Sequence, residues 1–423
     1  MLTITLTAFL AFYVAWNLGA NDVANSMGTS VGSKVLTLTK ALIIAGILEF
    51  AGAVLFSQGV SATLATEIVN PDLFASQPQV LLLGMIAVLI SCGAWLQIAT
   101  SLGLPVASSH AVVGAIAGFS FVAVGKTAID WSEIALIFLA WIVTPVLSGL
   151  VAFGFYNLVN RGILTQPQPI KQLEEWIPWL SALLLGVFGV LVGNKIVQGA
   201  GWDWWAFPRH DLVLAMGGGA AVALTIVSWR QLDKTKHNQN QNLDKSKNWQ
   251  LKAVEGEIGR LQVLSACFVA FAHGANDVGN AIAPLGVIYY IFRNNSVPLS
   301  GFTIPIWVLI LGGIGIVAGL AVQGKKVIAT VGEGIISLQP SSGFCAEIAT
   351  ATTVLLASRL GLPVSTSHAL VGAVVGIGLV SDRQKIRWQT LQSVVLAWVV
   401  TLPMAAILAA ISFSLLRLWF ANT

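Results

Sequence analysis

Apolar residues occur along this chain in repeated blocks separated by short polar links. A helix needs about 20 consecutive apolar residues to cross a bilayer. The blocks at 4–20, 35–58, 80–101, 104–121, 132–158, 178–193, 211–229, 262–280, 305–322, 344–360, 363–379 and 390–418 therefore predict about twelve transmembrane segments. The alternating segments of about 10 residues that mark a membrane β-barrel are absent. One polar stretch interrupts the series at residues 230–260 (RQLDKTKHNQNQNLDKSKNWQLKAVEGEIGR), with seven Lys/Arg and four Asp/Glu. Its Asn/Gln-rich middle predicts a flexible loop. The N-terminus runs apolar from Leu2 without a basic leader or a small-residue cleavage site, so the first block reads as a retained helix.

Composition turns this pattern into an exclusion. The 423 residues are 56% hydrophobic and 9% charged, with a mean hydropathy of +0.82, whereas soluble domains are about 25% charged. Eighteen acidic and 22 basic residues cannot clothe a soluble protein of this length. Soluble enzymes, nucleic-acid binders and disordered chains are excluded, and the expected fold is an all-α integral membrane protein. The 41 glycines suit closely packed membrane helices. Cys92, Cys267 and Cys345 all lie in apolar blocks and read as small packing residues, not as a disulfide framework.

The charges are placed unevenly. The basic excess at 230–260 puts that loop in the cytoplasm by the positive-inside rule. Counting spans outward puts Lys34, Lys40, Arg161, Lys171, Lys325, Lys326, Arg383, Lys385 and Arg387 inside, and both termini outside. The outer loops keep few basic residues: Lys126 beside Asp130 and Glu133, Lys195 and Arg209 beside Asp203 and Asp211, and Arg293. Trp131, Trp176, Trp202, Trp204, Trp205 and Trp388 fall near span ends, as interfacial aromatics do.

The chain also repeats itself. Residues 19–25 read GANDVAN and 274–280 read GANDVGN; residues 103–113 read GLPVASSHAVV and 361–371 read GLPVSTSHALV. LAWIVTP at 139–145 matches LAWVVTLP at 396–403 with one inserted residue. Three blocks in one order make a duplicated unit. Seven spans separate the starts of the two copies, so they must cross the membrane in opposite senses. Inverted repeats with broken helices or re-entrant hairpins near the midplane characterise secondary transporters. The expected divisions are a first repeat at 1–158, linking helices at 159–229, the cytoplasmic loop at 230–260 and a second, inverted repeat at 261–423.

Polar groups inside spans are costly and mark function. Asp22 and Asp277 each sit in a Gly-Ala-Asn-Asp run, with carboxamides from Asn21, Asn25, Asn276 and Asn280. Gly and Asn suit a helix break that frees backbone carbonyls, and carboxylate plus carbonyl oxygens suit Na⁺ or a similar cation. The alternative is that these side chains only hydrogen-bond between packed helices. The second pair of blocks offers Ser108, Ser109 and His110 against Ser365, Thr366, Ser367 and His368. Each follows Leu-Pro-Val and precedes an apolar helix, so the hydroxyls should cap a helix N-terminus, an arrangement that binds anions. No Lys or Arg lies in these four blocks. An anion bound there must have its charge offset by helix dipoles, hydroxyl donors and co-bound cations, which makes the protein a cation–anion symporter. Glu49 and Glu347 are further intramembrane acids without counterparts in the other copy, and His273 stands where the first copy has Leu18. These three are candidates for coupling, by proton relay or by a further cation. A hydrolase is not indicated, because no nucleophile-elbow pattern occurs. Nor does any glycine-rich pattern point to ATP.

The doubled GANDVxN signature, each copy followed by a Leu-Pro-Val-Ser/Thr-rich-His block, resembles the inorganic phosphate transporter family over about residues 1–158 and 262–423. The resemblance implies import of inorganic phosphate by Na⁺ or H⁺ symport through an alternating-access midplane site, without a covalent cofactor, in a homodimer. It implies that Asn21, Asp22, Asn276 and Asp277 hold Na⁺. It also implies that Asn25, Ser108, Ser109, Asn280, Thr366 and Ser367 reach phosphate oxygens. Glu49 and Glu347 match acids that the family tends to carry, and Ser26 adds a hydroxyl in the first copy only. Within the family, H⁺-coupled carriers of phosphate or metal–phosphate complexes and sulfate permeases are the alternatives to Na⁺-coupled phosphate carriers. A different class, a non-transporting membrane scaffold or receptor, would use the motifs for packing alone. The short loops and lack of targeting segments suggest a prokaryotic plasma membrane.

Overall fold

The chain folds into a helical bundle, seen in a computed structural model that describes residues 2–102, 106–193, 209–241, 246–299, 301–331 and 336–421. The side chains of 209–211, 238–241, 325–331, 385 and 421 fall outside that description. So do Trp202, Trp204, Trp205, Lys195, Asp203 and the first Gly-Leu-Pro segment at 103–105. The helices are α1 (Leu2–Gly32), α2 (Leu38–Phe56), α3 (Gln58–Thr66), α4 (Pro78–Ser101), α5 (Ser108–Ala123), α6 (Trp131–Val159) and α7 (Pro169–Phe188). They continue as α8 (Arg209–Gln241), α9 (Lys247–Asp277), α10 (Gly279–Asn294), α11 (Ile306–Val331), α12 (Pro340–Arg359), α13 (Thr366–Ser381) and α14 (Trp388–Ala421).

Helices overlap each of the twelve expected blocks without matching their bounds or number. Among the described residues, nine helical segments are long and apolar enough to cross a membrane. The protein is thus a multi-pass membrane protein. Helices α5 and α13, of 16 residues each, are shorter; at 1.5 Å per residue they reach about 24 Å, less than the hydrocarbon core. Local signals set the ends. Pro opens α4, α7 and α12, where its missing N–H costs nothing. Asp130 caps α6, its carboxylate accepting from the backbone N–H of Ser132 and Glu133. The Ser132 hydroxyl also bonds that carboxylate and holds the Asp130 carboxyl below the usual range.

Two expectations need correction. The polar stretch at 230–260 is helical over most of its length, with α8 continuing to Gln241 and α9 beginning at Lys247; residues 242–245 of its Asn/Gln-rich middle lie outside the described residues. Lys236 pairs with Glu174 on α7 at 2.5 Å, and Arg260 pairs with Glu257 at 2.7 Å and bonds Gln231 at 2.6 Å. These contacts tie the polar helix ends together, so charge alone misjudges the stretch. The first GAND run does not open its helix as expected either. Helix α1 passes unbroken through residues 19–25, and the second copy is interrupted only at Val278. The glycines serve close approach instead. A Cβ on Gly19 would lie 2.0 Å from the Ile316 carbonyl oxygen of α11, and one on Gly274 would lie 2.0 Å from the Glu49 carbonyl oxygen of α2.

The repeat mates exchange partners across the bundle. Helix α1 packs on α11, and its mate α9 packs on α2; α6 packs on α13, and its mate α14 packs on α5. At the centre of the second exchange, His110 and His368 meet edge to face with ring centroids 4.8 Å apart. His110 stacks on Trp141 at 3.8 Å, and His368 on Trp398 at 3.7 Å. Each imidazole also reaches a carbonyl of the opposite tryptophan: His110 Nδ1 lies 3.1 Å from the Trp398 oxygen and His368 Nδ1 lies 3.3 Å from the Trp141 oxygen. A carbonyl can only accept, so both Nδ1 atoms carry hydrogen. Pro145, inside α6, has no N–H to offer the Trp141 carbonyl four residues back. That oxygen is therefore free for His368.

Candidate functional site

The first GAND run lies on α1 and the second at the end of α9, with α2 and α13 beside them. This packing brings Asp22, Glu49, His273 and Asp277 into one buried cluster, with Asn25 and Thr366 bonded to it. His273, with no exposed surface, stands at its centre. Its Nε2 lies 3.1 Å from Asp277 Oδ2 and 3.9 Å from Asp22 Oδ2, and its Nδ1 lies 3.2 Å from Glu49 Oε2. Asn25 Nδ2 donates to Asp22 Oδ1 at 3.0 Å. The Ser26 hydroxyl donates to Glu49 Oε1 at 2.9 Å. Thr366, the first residue of α13, donates to Asp277 Oδ2 at 2.7 Å. Asp277 Oδ1 and both imidazole nitrogens have no hydrogen-bond partner of good geometry.

The charge in this cluster does not close on itself. Three carboxyl groups face one imidazole, and among the described residues no Lys or Arg pairs with any of them. Even a protonated His273 offsets only one of three ionised acids. Unpaired buried charge is expensive in a low-dielectric interior. The arrangement favours added cations or protons.

The hydroxyl blocks divide between the copies. Asn280 Nδ2, from the second GAND run, donates to the Ser108 hydroxyl of α5 in the first copy at 3.1 Å. Ser109 Oγ and Asn280 Oδ1 are buried and unpartnered. In the second copy Ser365 caps α13, accepting from the His368 N–H at 3.3 Å, and its hydroxyl pairs with Ser367 at 2.8 Å. The first copy has Ala107 at the equivalent position and no side-chain cap. Ser108 and Ser109 are therefore the first residues of their helix rather than its cap, a correction to the capping expectation.

Asn21 and Asn276 do not face the carboxylate cluster. Asn21 Nδ2 donates to Thr100 at 2.8 Å. Asn276 Nδ2 donates to Ser358 at 2.9 Å and to the Leu362 carbonyl at 3.1 Å, and its Oδ1 accepts from Val364 N–H at 3.2 Å. These equivalent bonds tie each GAND run to the helix end before its own hydroxyl block.

Glu347 sits apart, in a cage of donors that sequence reasoning did not identify. Its Oε1 accepts from Thr29 at 2.5 Å, Ser30 at 2.8 Å and Gln262 at 3.1 Å, and its Oε2 accepts from Ser265 at 2.5 Å. The signal was present: Ser26, Thr29 and Ser30 recur at helical spacing on one face of α1, with Ser33 just past its end. A buried acid without a basic partner needs such a stripe opposite it. Thr100, Ser358, Trp141 and Trp398 were likewise missed as partners.

Residues 18–409 match the model of the phosphate transporter family. Among curated relatives, a protein of Haemophilus influenzae with the provisional name of phosphate permease is 38% identical over 98% of this chain and 97% of its own. The chloroplastic inorganic phosphate transporter 2-1 of Arabidopsis thaliana is 39% identical over 96% of this chain and 70% of its own. A solved structure titled as the sodium-dependent phosphate transporter superposes with a TM-score of 0.89 at 36% identity, covering 99% of this chain and 100% of that one.

Proposed function

The chain belongs to the phosphate transporter family, and from that premise we propose that it imports inorganic phosphate together with Na⁺ through a midplane site between two inverted repeats. As a member of that family it is a transporter of phosphate, not an enzyme. The observation that carries the finer reading is the excess of carboxyl groups over cations around His273. Asp22, Asp277 and Glu49 meet one imidazole with no Lys or Arg pairing among the described residues. Two co-transported cations would neutralise that excess and make the neighbouring space attractive to an anion.

In this reading Asp22 and Asp277 hold Na⁺, with Asn21 and Asn276 fixing the local backbone through their bonds to Thr100, Ser358 and Val364. Phosphate lies against Asn25, Asn280, Ser108, Ser109, Thr366 and Ser367, at the N-termini of α5 and α13, where helix dipoles and free N–H groups favour an anion. The donor that Asn280 now gives to Ser108 and the one that Thr366 gives to Asp277 turn toward phosphate oxygens on binding. Glu49 sets the position of His273, and Glu347 anchors α12 to α1 and α9. In this reading the two repeats, whose mates exchange packing partners, move relative to each other about the site to give alternating access. The protein works as a homodimer in a plasma membrane, with the 230–260 segment cytoplasmic and both termini outside.

One observation favours a second reading, H⁺ symport. His273 is an imidazole held among three carboxyl groups, able to take up and release a proton beside the anion. Uptake of phosphate and of sulfate into proteoliposomes under imposed Na⁺ or H⁺ gradients separates these readings. Phosphate accumulation driven by Na⁺ supports the proposal. Accumulation driven only by H⁺ supports the second reading, and Na⁺-independent sulfate accumulation contradicts both.

A further inference from the structure

Na⁺ coordination leaves one feature of the cluster unexplained. Na⁺ is a hard cation that takes oxygen ligands, yet the group at the centre is an imidazole. His273 is fully buried, and its Nε2 has no hydrogen-bond partner. Imidazole with carboxylates is the donor set of borderline divalent cations such as Zn²⁺. The ligand atoms of Asp22, His273 and Asp277 all lie within 4.8 Å of one another. From His273 Nε2, Asp277 Oδ2 is at 3.1 Å and Asp22 Oδ2 at 3.9 Å. Ligands about 2.1 Å from a tetrahedral Zn²⁺ are about 3.4 Å from each other, so small side-chain adjustments would close the site.

The other face of the imidazole carries an independent sign. Metal-bound histidines usually present their second nitrogen to a carboxylate, which fixes the ring and raises its basicity. Glu49 Oε2 stands 3.2 Å from His273 Nδ1, where a small turn of the ring would align a hydrogen bond that neither atom makes here, and Glu49 is itself held by the Ser26 hydroxyl at 2.9 Å. Three protein ligands leave a fourth position open to an exogenous oxygen, as in metal sites that exchange a ligand.

We propose that Asp22 Oδ2, Asp277 Oδ2 and His273 Nε2 form a site for a borderline divalent cation of the Zn²⁺ class, with Glu49 orienting the imidazole. A cation bound there excludes Na⁺ from the same carboxylates and blocks transport. Only this competition rests on the Na⁺-symport reading; the binding site itself does not.

The test uses the full-length protein purified in detergent, free of Na⁺ and phosphate. Co²⁺ is titrated in and followed by its visible absorption, then displaced with Zn²⁺. One saturable site per chain is expected, weakened about 100-fold or more by His273→Gln and about 10–100-fold by Glu49→Gln. No saturable binding, or equal affinity in wild type and His273→Gln, overturns the site. If His273→Gln fails to fold, Glu49→Gln decides: the loss supports the site and unchanged affinity overturns it. In proteoliposomes, Zn²⁺ should inhibit Na⁺-driven phosphate uptake and be relieved by raising Na⁺. Binding without inhibition overturns the competition. Metal-free proteoliposomes that take up no phosphate refute the transport reading and leave the binding result standing.

Discussion

Asn280, in the second GAND run, donates its carboxamide to the hydroxyl of Ser108, in the first copy's hydroxyl block, at 3.1 Å. Residues 172 positions apart thus join the two copies of the motif set. The neighbouring Ser109 hydroxyl is buried without a partner, so its removal breaks no existing bond. Ser109→Ala should therefore leave thermal stability unchanged yet raise the Kd for phosphate about tenfold or more, since a hydrogen bond to a charged group is worth about 1.5–3 kcal/mol. Ser367→Ala should weaken binding similarly. Calorimetric titration with phosphate checks both, and full affinity in both variants would remove the hydroxyl blocks from the site.

Glu347 is satisfied by four donors from α1 and α9. Glu347→Ala strands those donors in a buried space, and each costs about 1–3 kcal/mol. A fall in melting temperature larger than that of Ser265→Ala, which removes one donor, is expected in purified protein. Equal falls for the two variants would show that the cage does not act as a unit.

Gly274 faces backbone. A Cβ there would stand 2.0 Å from the Glu49 carbonyl oxygen, whereas one on Gly256 of the same helix meets nothing within 4 Å. Gly274→Ala must push α9 away from α2 and should cost about 1–3 kcal/mol or more. Gly256→Ala should be neutral or stabilising by up to about 1 kcal/mol, because Ala is the better helix former. Paired melting curves test this, with equal melting temperatures as the contrary result.

Much of this was legible in the sequence because membrane spans announce themselves by length and because duplicated motifs mark costly polar groups. Asp22, Asp277, Glu49 and His273 were all identifiable as candidates. Their convergence was not, because it depends on how α1, α2 and α9 cross. The glycines misled for a related reason: Gly19 and Gly274 look like helix breakers in one dimension and become contact points once a second helix lies against them. Asn21 and Asn276 share a motif with the acids but lie about 100° around the helix from them, so they face other partners. The cage around Glu347 was readable only by asking what a lone buried acid requires, then finding Thr29 and Ser30 more than 300 residues away. The 230–260 stretch reads as loop by polarity, yet its helices extend into it, α8 ion-paired to α7 through Lys236–Glu174 and bonded to α9 through Gln231–Arg260.

The central claim is that Asp22 and Asp277 supply the charge that couples a cation to phosphate. The most direct measurement is phosphate accumulation in proteoliposomes under an imposed inward Na⁺ gradient, for wild type, Asp22→Asn and Asp277→Asn, each with its fold verified by melting curve. Accumulation against the phosphate gradient is expected in wild type, and its loss in both variants. Accumulation at the wild-type rate in either folded variant would contradict it.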